Sequence, residues 1–314
     1  MKDRKAVFRF GSRFAVRPAD LAQLVRAPAA LSVPGDVIAG AAAATNGRPL
    51  NARVLGTIGS SVCLYWAGMA LNDYADAAVD AVERPQRPVP SGRVPRRTAL
   101  AVAGGLTAAG LGLAALANGR RGLLGALPLT GLICAYDLGL KSTAAGPATM
   151  AAARSADVLS GALAAAPAGA ALRRGAVPAA LVGVHTYTLT VLSRHEISGA
   201  PARVPATTLA VSTATALAAA LPALRAASPT PVDFGTAVTA TGTLAYLATY
   251  GIAQARAVPE PSGANLRRAV GAGILGLMPL QATLTARAGA PAVAAALGVV
   301  HPLARRLARR ISPT

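Results

Sequence analysis

Charge is scarce in this chain. Asp, Glu, Lys and Arg make up 14% of its 314 residues, against roughly 25% in soluble domains. So thin a polar shell, beside 53% hydrophobic residues and a mean hydropathy of +0.47, excludes an ordinary soluble globule. Cysteine is nearly absent: Cys63 and Cys134 each sit inside an apolar run, which leaves no disulfide framework and no thiolate metal spacing. His185, His195 and His301 fall at no metal-binding interval either. Aromatics reach only 4%, too few to stack nucleic-acid bases. The Lys and Arg behind the net charge of +19 cluster between apolar runs. They point to topogenic loops and anionic membrane lipids, and to no nucleic-acid partner.

What remains is a series of long apolar blocks. A bilayer crossing takes about 20 mostly apolar residues. Such runs occur at 21–44, 54–72, 98–117, 123–140, 144–167, 177–192, 206–224, 234–255 and 269–286. A shorter piece, 290–303, leads into Arg305, Arg306, Arg309 and Arg310 and reads as a tenth crossing or an interfacial tail. The expected fold is all-α: a polytopic transmembrane helical bundle of about nine spans. It forms one domain over 21–304, with a basic segment at 1–20 and a basic tail at 305–314. The first run is broken by Pro28, Pro34 and Asp36 and carries no clear cleavage site, so it reads as a retained span. With the N-terminus inside, the inside segments hold 18 Lys and Arg and the opposite loops 8. That bias predicts a cytoplasmic N-terminus. It also puts the loops after the second, fourth, sixth and eighth spans on the cytoplasmic side.

The first of those loops is the most unusual stretch. Four of the twelve carboxylates of the chain fall between residues 73 and 83. Asp73, Asp76 and Asp80 are spaced i, i+3, i+7, which places them on one face of a helix, and Asn72 joins that face four residues before Asp76. Like charges on one stripe repel unless a cation sits among them. Oxygen-only ligands suit a hard ion, and Mg²⁺ is usually held by one or two carboxylates together with substrate phosphates. Arg84, Arg87 and Arg93 follow directly as bidentate donors for phosphate oxygens. Carboxylates, metal and Arg together describe a diphosphate clamp. Charges also lie deep within spans, where they are rare and face the interior: Asp36 in the first, and Arg154 with Asp157 at i, i+3 in the fifth. Asp157 is a candidate substrate-binding residue and a candidate partner of Arg154.

The run Asn72-Asp73-x-x-Asp76-x-x-x-Asp80, then Arg84-x-x-Arg87-Pro88 and Ser91-Gly92, resembles the first signature of the UbiA superfamily of intramembrane prenyltransferases. Arg26-Ala27-Pro28 is similar to an early Arg-x-Pro of that family, and Tyr136 to Lys141 to its Tyr…Leu-Lys element. Leu140-Lys141-Ser142-Thr143 and Leu192 to Glu196 look closest to an EboC-like bacterial branch. The likeness departs at the second acidic motif, where Thr186 and Ser193 stand in place of acidic residues while Arg194 and Glu196 are retained.

The resemblance implies transfer of a prenyl group from a prenyl diphosphate to an aromatic or other small acceptor, within a bacterial cytoplasmic membrane. It assigns Mg²⁺ to Asp73, Asp76, Asp80 and Glu196. Lys141 and Tyr136 join the three aspartates as catalytic groups, and Asn72, Arg84, Arg87, Arg26 and Arg194 bind substrate. Three other readings stay open: a non-catalytic lipid carrier of the same family, transfer of an activated phospho-sugar to a prenyl phosphate, and a secondary transporter.

Overall fold

The computed structural model describes residues 16–226 and 233–308, and among them every regular element is helical. Most of the basic segment 1–20, all but the start of the tail 305–314, and the side chains of Arg225, His301, Arg305 and Arg306 lie outside the described residues.

The chain runs back and forth between two ends of one bundle. The first expected span is three pieces: α1 (Pro18–Leu24), a 3-10 stretch (Ala27–Ser32) and α2 (Val33–Thr45). Arg26 separates the first two, with a left-handed φ of 45° that ends α1. Pro34 then lies in the first turn of α2, where a missing N–H costs nothing. The remaining runs fall close to their expected places: α3 (Ala52–Ala75), α5 (Arg96–Asn118), α6 (Arg120–Ala135), α7 (Gly146–Ala165), α8 (Ala168–Ser193), α9 (Arg203–Ala226), α10 (Phe234–Tyr246), α11 (Ile252–Ala257), α12 (Gly263–Arg287) and α13 (Pro291–Ala308). Between α3 and α5 sits the short α4 (Ala77–Glu83). A π-helical turn extends α6 over Tyr136–Leu140, and another joins α10 to α11 over Leu247–Gly251.

α8 begins nine residues earlier than its apolar run suggests. Arg173 and Arg174 lie in its first turns, where such side chains reach the interface, and Pro178 is accommodated inside the helix. Among the described residues six helices are long and apolar enough to cross a membrane: α3, α5, α6 with its π turn, α8, α9 and α12. α2 is shorter and is wrapped by α7, α8 and α12.

Small residues set the packing. α3 lies along α5, α7 along both α2 and α8, and α12 along α10. A Cβ on Gly40 of α2 would run into the Val158 carbonyl of α7, and one on Gly161 of α7 into the Val37 carbonyl of α2. Two backbones thus meet directly, the arrangement small residues permit in lipid.

The deep charges sit at this crossing. Arg154 pairs with Asp36, Nη2 to Oδ2 at 2.8 Å, rather than with its helical neighbour Asp157. Gln281 of α12 donates to Asp36 Oδ1 at 2.7 Å, and Ser61 of α3 donates to Asp157 Oδ1 at 2.5 Å. Spacing suggested an i, i+3 pair. The nearer approach of α2 gives Arg154 a partner on another helix instead.

Candidate functional site

The acidic stretch does not form one continuous helix. α3 stops at Ala75, Asp76 takes φ −86° and ψ 4°, and α4 resumes at Ala77. The i→i+4 ladder survives the bend, from Asp76 N to Asn72 O and from Asp80 N to Asp76 O. The side chains nonetheless divide. Asp73 and Asp80 turn inward and are almost fully buried. Asp76 faces Lys141, whose Nζ lies 2.5 Å from its Oδ1.

Each inward carboxylate holds arginine. Asp73 Oδ1 accepts from Arg26 Nη2 at 3.1 Å and lies 3.6 Å from Arg87 Nη1. Asp80 Oδ2 accepts from the same Arg87 nitrogen at 2.6 Å. Arg26 also donates to Met69 Sδ. Its left-handed backbone costs on the order of 1–3 kcal/mol and is held in place by these contacts. Arg93, expected among the phosphate donors, is engaged elsewhere: it binds Asp20, Gln23 and the Gln86 carbonyl and ties α1 to the loop.

In front of this layer opens a cavity of about 580 Å³. Its charged part is lined by Arg26, Arg84, Arg87, Lys141 and Arg194 together with Asn72, Asp76, Glu83, Asp137 and Glu196. The π turn after α6 presents Tyr136 and Asp137 to it, a deformation often found at functional positions. Asn72 donates to Asp137 Oδ1 at 3.2 Å. Deeper in, the wall becomes apolar and aromatic, with Trp66, Met69, Leu189, Val270, Ile274 and Leu277, and the Arg154 side chain reaches it beside Tyr65.

One cavity thus gathers most of the residues singled out in the sequence. Asp73 and Asp80 stand behind its wall, and Asp157 is fully buried and apart from it. Arg84 and Arg194 have no carboxylate at ion-pair distance among the described residues, which leaves their guanidinium groups available to an anion. Glu196 follows the end of α8. Burial raises its carboxyl above the ordinary glutamate range, while Arg84 and Arg267 pull it back.

Sequence reasoning passed over Tyr65, Trp66, Met69 and Glu83. Trp66 carried a usable signal. It is the one tryptophan of the chain and precedes Asn72 by six residues.

Among the described residues no three His, Cys, Asp or Glu side chains converge as a metal cage. The donor set still suits a hard cation, because carboxylates and an amide line the cavity. Magnesium needs only one or two of them when phosphate supplies the rest.

Comparison with known proteins identifies the fold. The fold is similar to the apo structure of a UbiA homolog from Aeropyrum pernix K1, with a TM-score of 0.62 and 19% identity over 87% of this chain and 97% of that one. It is also similar to a UbiA homolog from Archaeoglobus fulgidus bound to GPP and Mg²⁺, with a TM-score of 0.55 and 14% identity over 84% and 99% of the two chains. In sequence the chain is similar to a digeranylgeranylglyceryl phosphate synthase of Methanopyrus kandleri, 44% identical over 86 residues. That stretch is 27% of this chain and 29% of the relative, so the match spans under a third of the curated protein. These relatives do not bear on the EboC-like branch. The UbiA prenyltransferase family model matches residues 36–269, most of the chain, and the protein belongs to that family.

Proposed function

We propose that this protein transfers a prenyl group from a prenyl diphosphate to an acceptor carrying a glyceryl phosphate. Its apolar helices and its family make it an integral membrane protein. The membrane we assign is the cytoplasmic one, crossed many times, with the cavity mouth toward the cytoplasm as the basic loops suggest. The relatives are archaeal, so the expected bacterial origin gains no support from them.

One observation carries the reading. Arg26, Arg84, Arg87, Lys141 and Arg194 line the mouth of a cavity whose depth is apolar. A diphosphate fits the mouth and a polyisoprenyl chain fits the depth. Arg84 and Arg194 both stand there without a carboxylate partner among the described residues, one guanidinium fork for the donor diphosphate and one for a phosphate on the acceptor. This favours the acceptor type named in the curated relatives over an aromatic ring.

Arg84 and Arg194 would grip phosphate oxygens in bidentate fashion. Asp73 and Asp80 would act from behind, holding Arg26 and Arg87 in position before substrate arrives, the preorganised electrostatics that stabilise a leaving group. Asp76, with Glu196 and Asp137 facing the same space, would hold Mg²⁺, which neutralises developing phosphate charge. Tyr136 would donate to a phosphate oxygen. The allylic C–O bond breaks with its electron pair leaving on the diphosphate. The acceptor hydroxyl oxygen then bonds to that carbon, and its proton passes to the departing phosphate. Trp66, Met69 and the leucine wall exclude water, which would otherwise capture the cation.

A non-catalytic lipid carrier is the second reading, favoured by the absence of a three-carboxylate cage among the described residues. One assay separates the two. Purified protein in nanodiscs is given radiolabelled prenyl diphosphate, a prenylated glyceryl phosphate and Mg²⁺, and diphosphate release is measured. Release that falls at least about a hundredfold in Arg84→Gln/Arg194→Gln supports transfer, in line with the loss of electrostatic groups at such sites. Binding without release establishes the carrier.

A further inference from the structure

The opposite end of the bundle carries a second cleft, of about 600 Å³, lined by Arg53, Asn118, Arg120 and Arg121 over a floor of Leu163 and Ala164. Four helices build it: α3, α5 and α6 at the rim and α7 as the floor. Asn118, the last residue of α5, donates to the Arg53 carbonyl and to Thr57 Oγ1 in the first turns of α3. The single residue Gly119, with φ 56°, reverses the chain into α6. Gly122 packs so tightly on α5 that a Cβ would strike the Ala114 carbonyl. The frame is therefore fixed while the three guanidinium groups stay exposed at its rim.

None of these three arginines has a carboxylate at ion-pair distance among the described residues. Acid is scarce at this end altogether. Asp233 is the described carboxylate there, and both its oxygens are taken in capping α10. Beside the cleft the surface is apolar: Leu116 is 87% exposed, Leu124 61% and Leu55 58%. In sequence Leu55 lies two residues from Arg53, Leu124 three from Arg121 and Leu116 two from Asn118.

We propose that this cleft binds the phosphate of an anionic phospholipid, whose acyl chains lie along Leu116, Leu124 and Leu55. Guanidinium forks match phosphate oxygens, and juxtamembrane arginines are drawn to anionic headgroups. The flanking leucines give the ligand its lipid character, since a soluble anion would leave them unused. The proposal is independent of the catalytic reading, which concerns the other end of the bundle.

Native mass spectrometry of delipidated protein would test it, with dioleoylphosphatidylglycerol and dioleoylphosphatidylcholine titrated in parallel and inorganic phosphate as a third arm. Wild-type protein is expected to retain one phosphatidylglycerol at least about tenfold more tightly than phosphatidylcholine. In Arg120→Gln/Arg121→Gln that preference disappears, since two interfacial arginines together are worth roughly thirtyfold. Arg48→Gln/Arg173→Gln removes the same charge from the same end outside the cleft and should keep the preference. Equal retention of the two lipids, or equal loss in both variants, overturns the proposal. Displacement of phosphatidylglycerol by inorganic phosphate would identify the phosphate group itself as the element recognised. Protection by phosphate without any lipid preference would place a soluble anion in the cleft and overturn the lipid assignment.

Discussion

Asp73 and Asp76 are neighbours in one motif, yet the structure gives them different work, and Asn substitutions separate the two. The Asp73 side chain is 2% exposed and touches Arg26 and Arg87, themselves 14% and 11% exposed. Removing one partner of a buried pair costs about 3–5 kcal/mol. The lower figure applies here, because Arg87 keeps Asp80 at 2.6 Å. At roughly 2–3 °C per kcal/mol for a chain of this size, Asp73→Asn lowers the melting temperature by about 6–9 °C. The Asp76–Lys141 pair is 23% and 22% exposed, so screening limits it to about 1 kcal/mol or less. Asp76→Asn should therefore melt within about 3 °C of wild type and yet lose prenyl transfer. Thermal unfolding in one detergent, paired with turnover in nanodiscs, reads both quantities. Equal destabilisation by the two variants, or an Asp73→Asn protein with unchanged melting, would refute the division between a supporting and a cavity-facing carboxylate.

Three further outcomes can be checked on the same preparations. Arg154→Met alone strands Asp36 beside Asp157 and should cost about 3–5 kcal/mol, whereas Asp36→Leu/Arg154→Met recovers most of it, since apolar replacement of a buried pair is nearly neutral; a double variant as unstable as the single contradicts the pairing. Gly161→Leu should abolish the α2–α7 contact and the folded protein with it, while Gly131→Ala, which meets nothing within 4 Å, gains up to about 1 kcal/mol of helix propensity; unfolding yields decide this. Glu196 binds its proton more readily folded than unfolded, so wild-type stability falls as pH rises from the ordinary glutamate value through its raised one. Glu196→Gln lacks that slope, and melting curves taken across the acid range compare the two.

Much of this architecture could be read in the chain because lipid allows so few solutions. Backbone groups must pair within each segment, so the long apolar runs became helical, most of them near their expected limits, although α8 starts nine residues early. The reading failed where a local backbone choice intervened. Nothing in Arg26 announced a left-handed residue that would cut the first span. The bend at Asp76 could not be foreseen from i, i+3, i+7 spacing, which assumes a straight helix. The partner of Arg154 was hidden for another reason. Periodicity relates residues within one helix, while Asp36 arrives on a different one. Tyr136, Lys141, Arg194 and Glu196 came from likeness to a family, and the cavity does bring them together.

The contact of Gly40 with Val158 and of Gly161 with Val37 leaves no slack between α2 and α7. Asp36 lies one turn from the first crossing point and Arg154 one turn from Val158. A slide of either helix by a single turn would carry the carboxylate about 5.4 Å from its guanidinium. The glycines therefore serve as a vernier for the charges beside the cavity floor, and anyone grafting this pocket onto another helical scaffold would have to transplant them along with it.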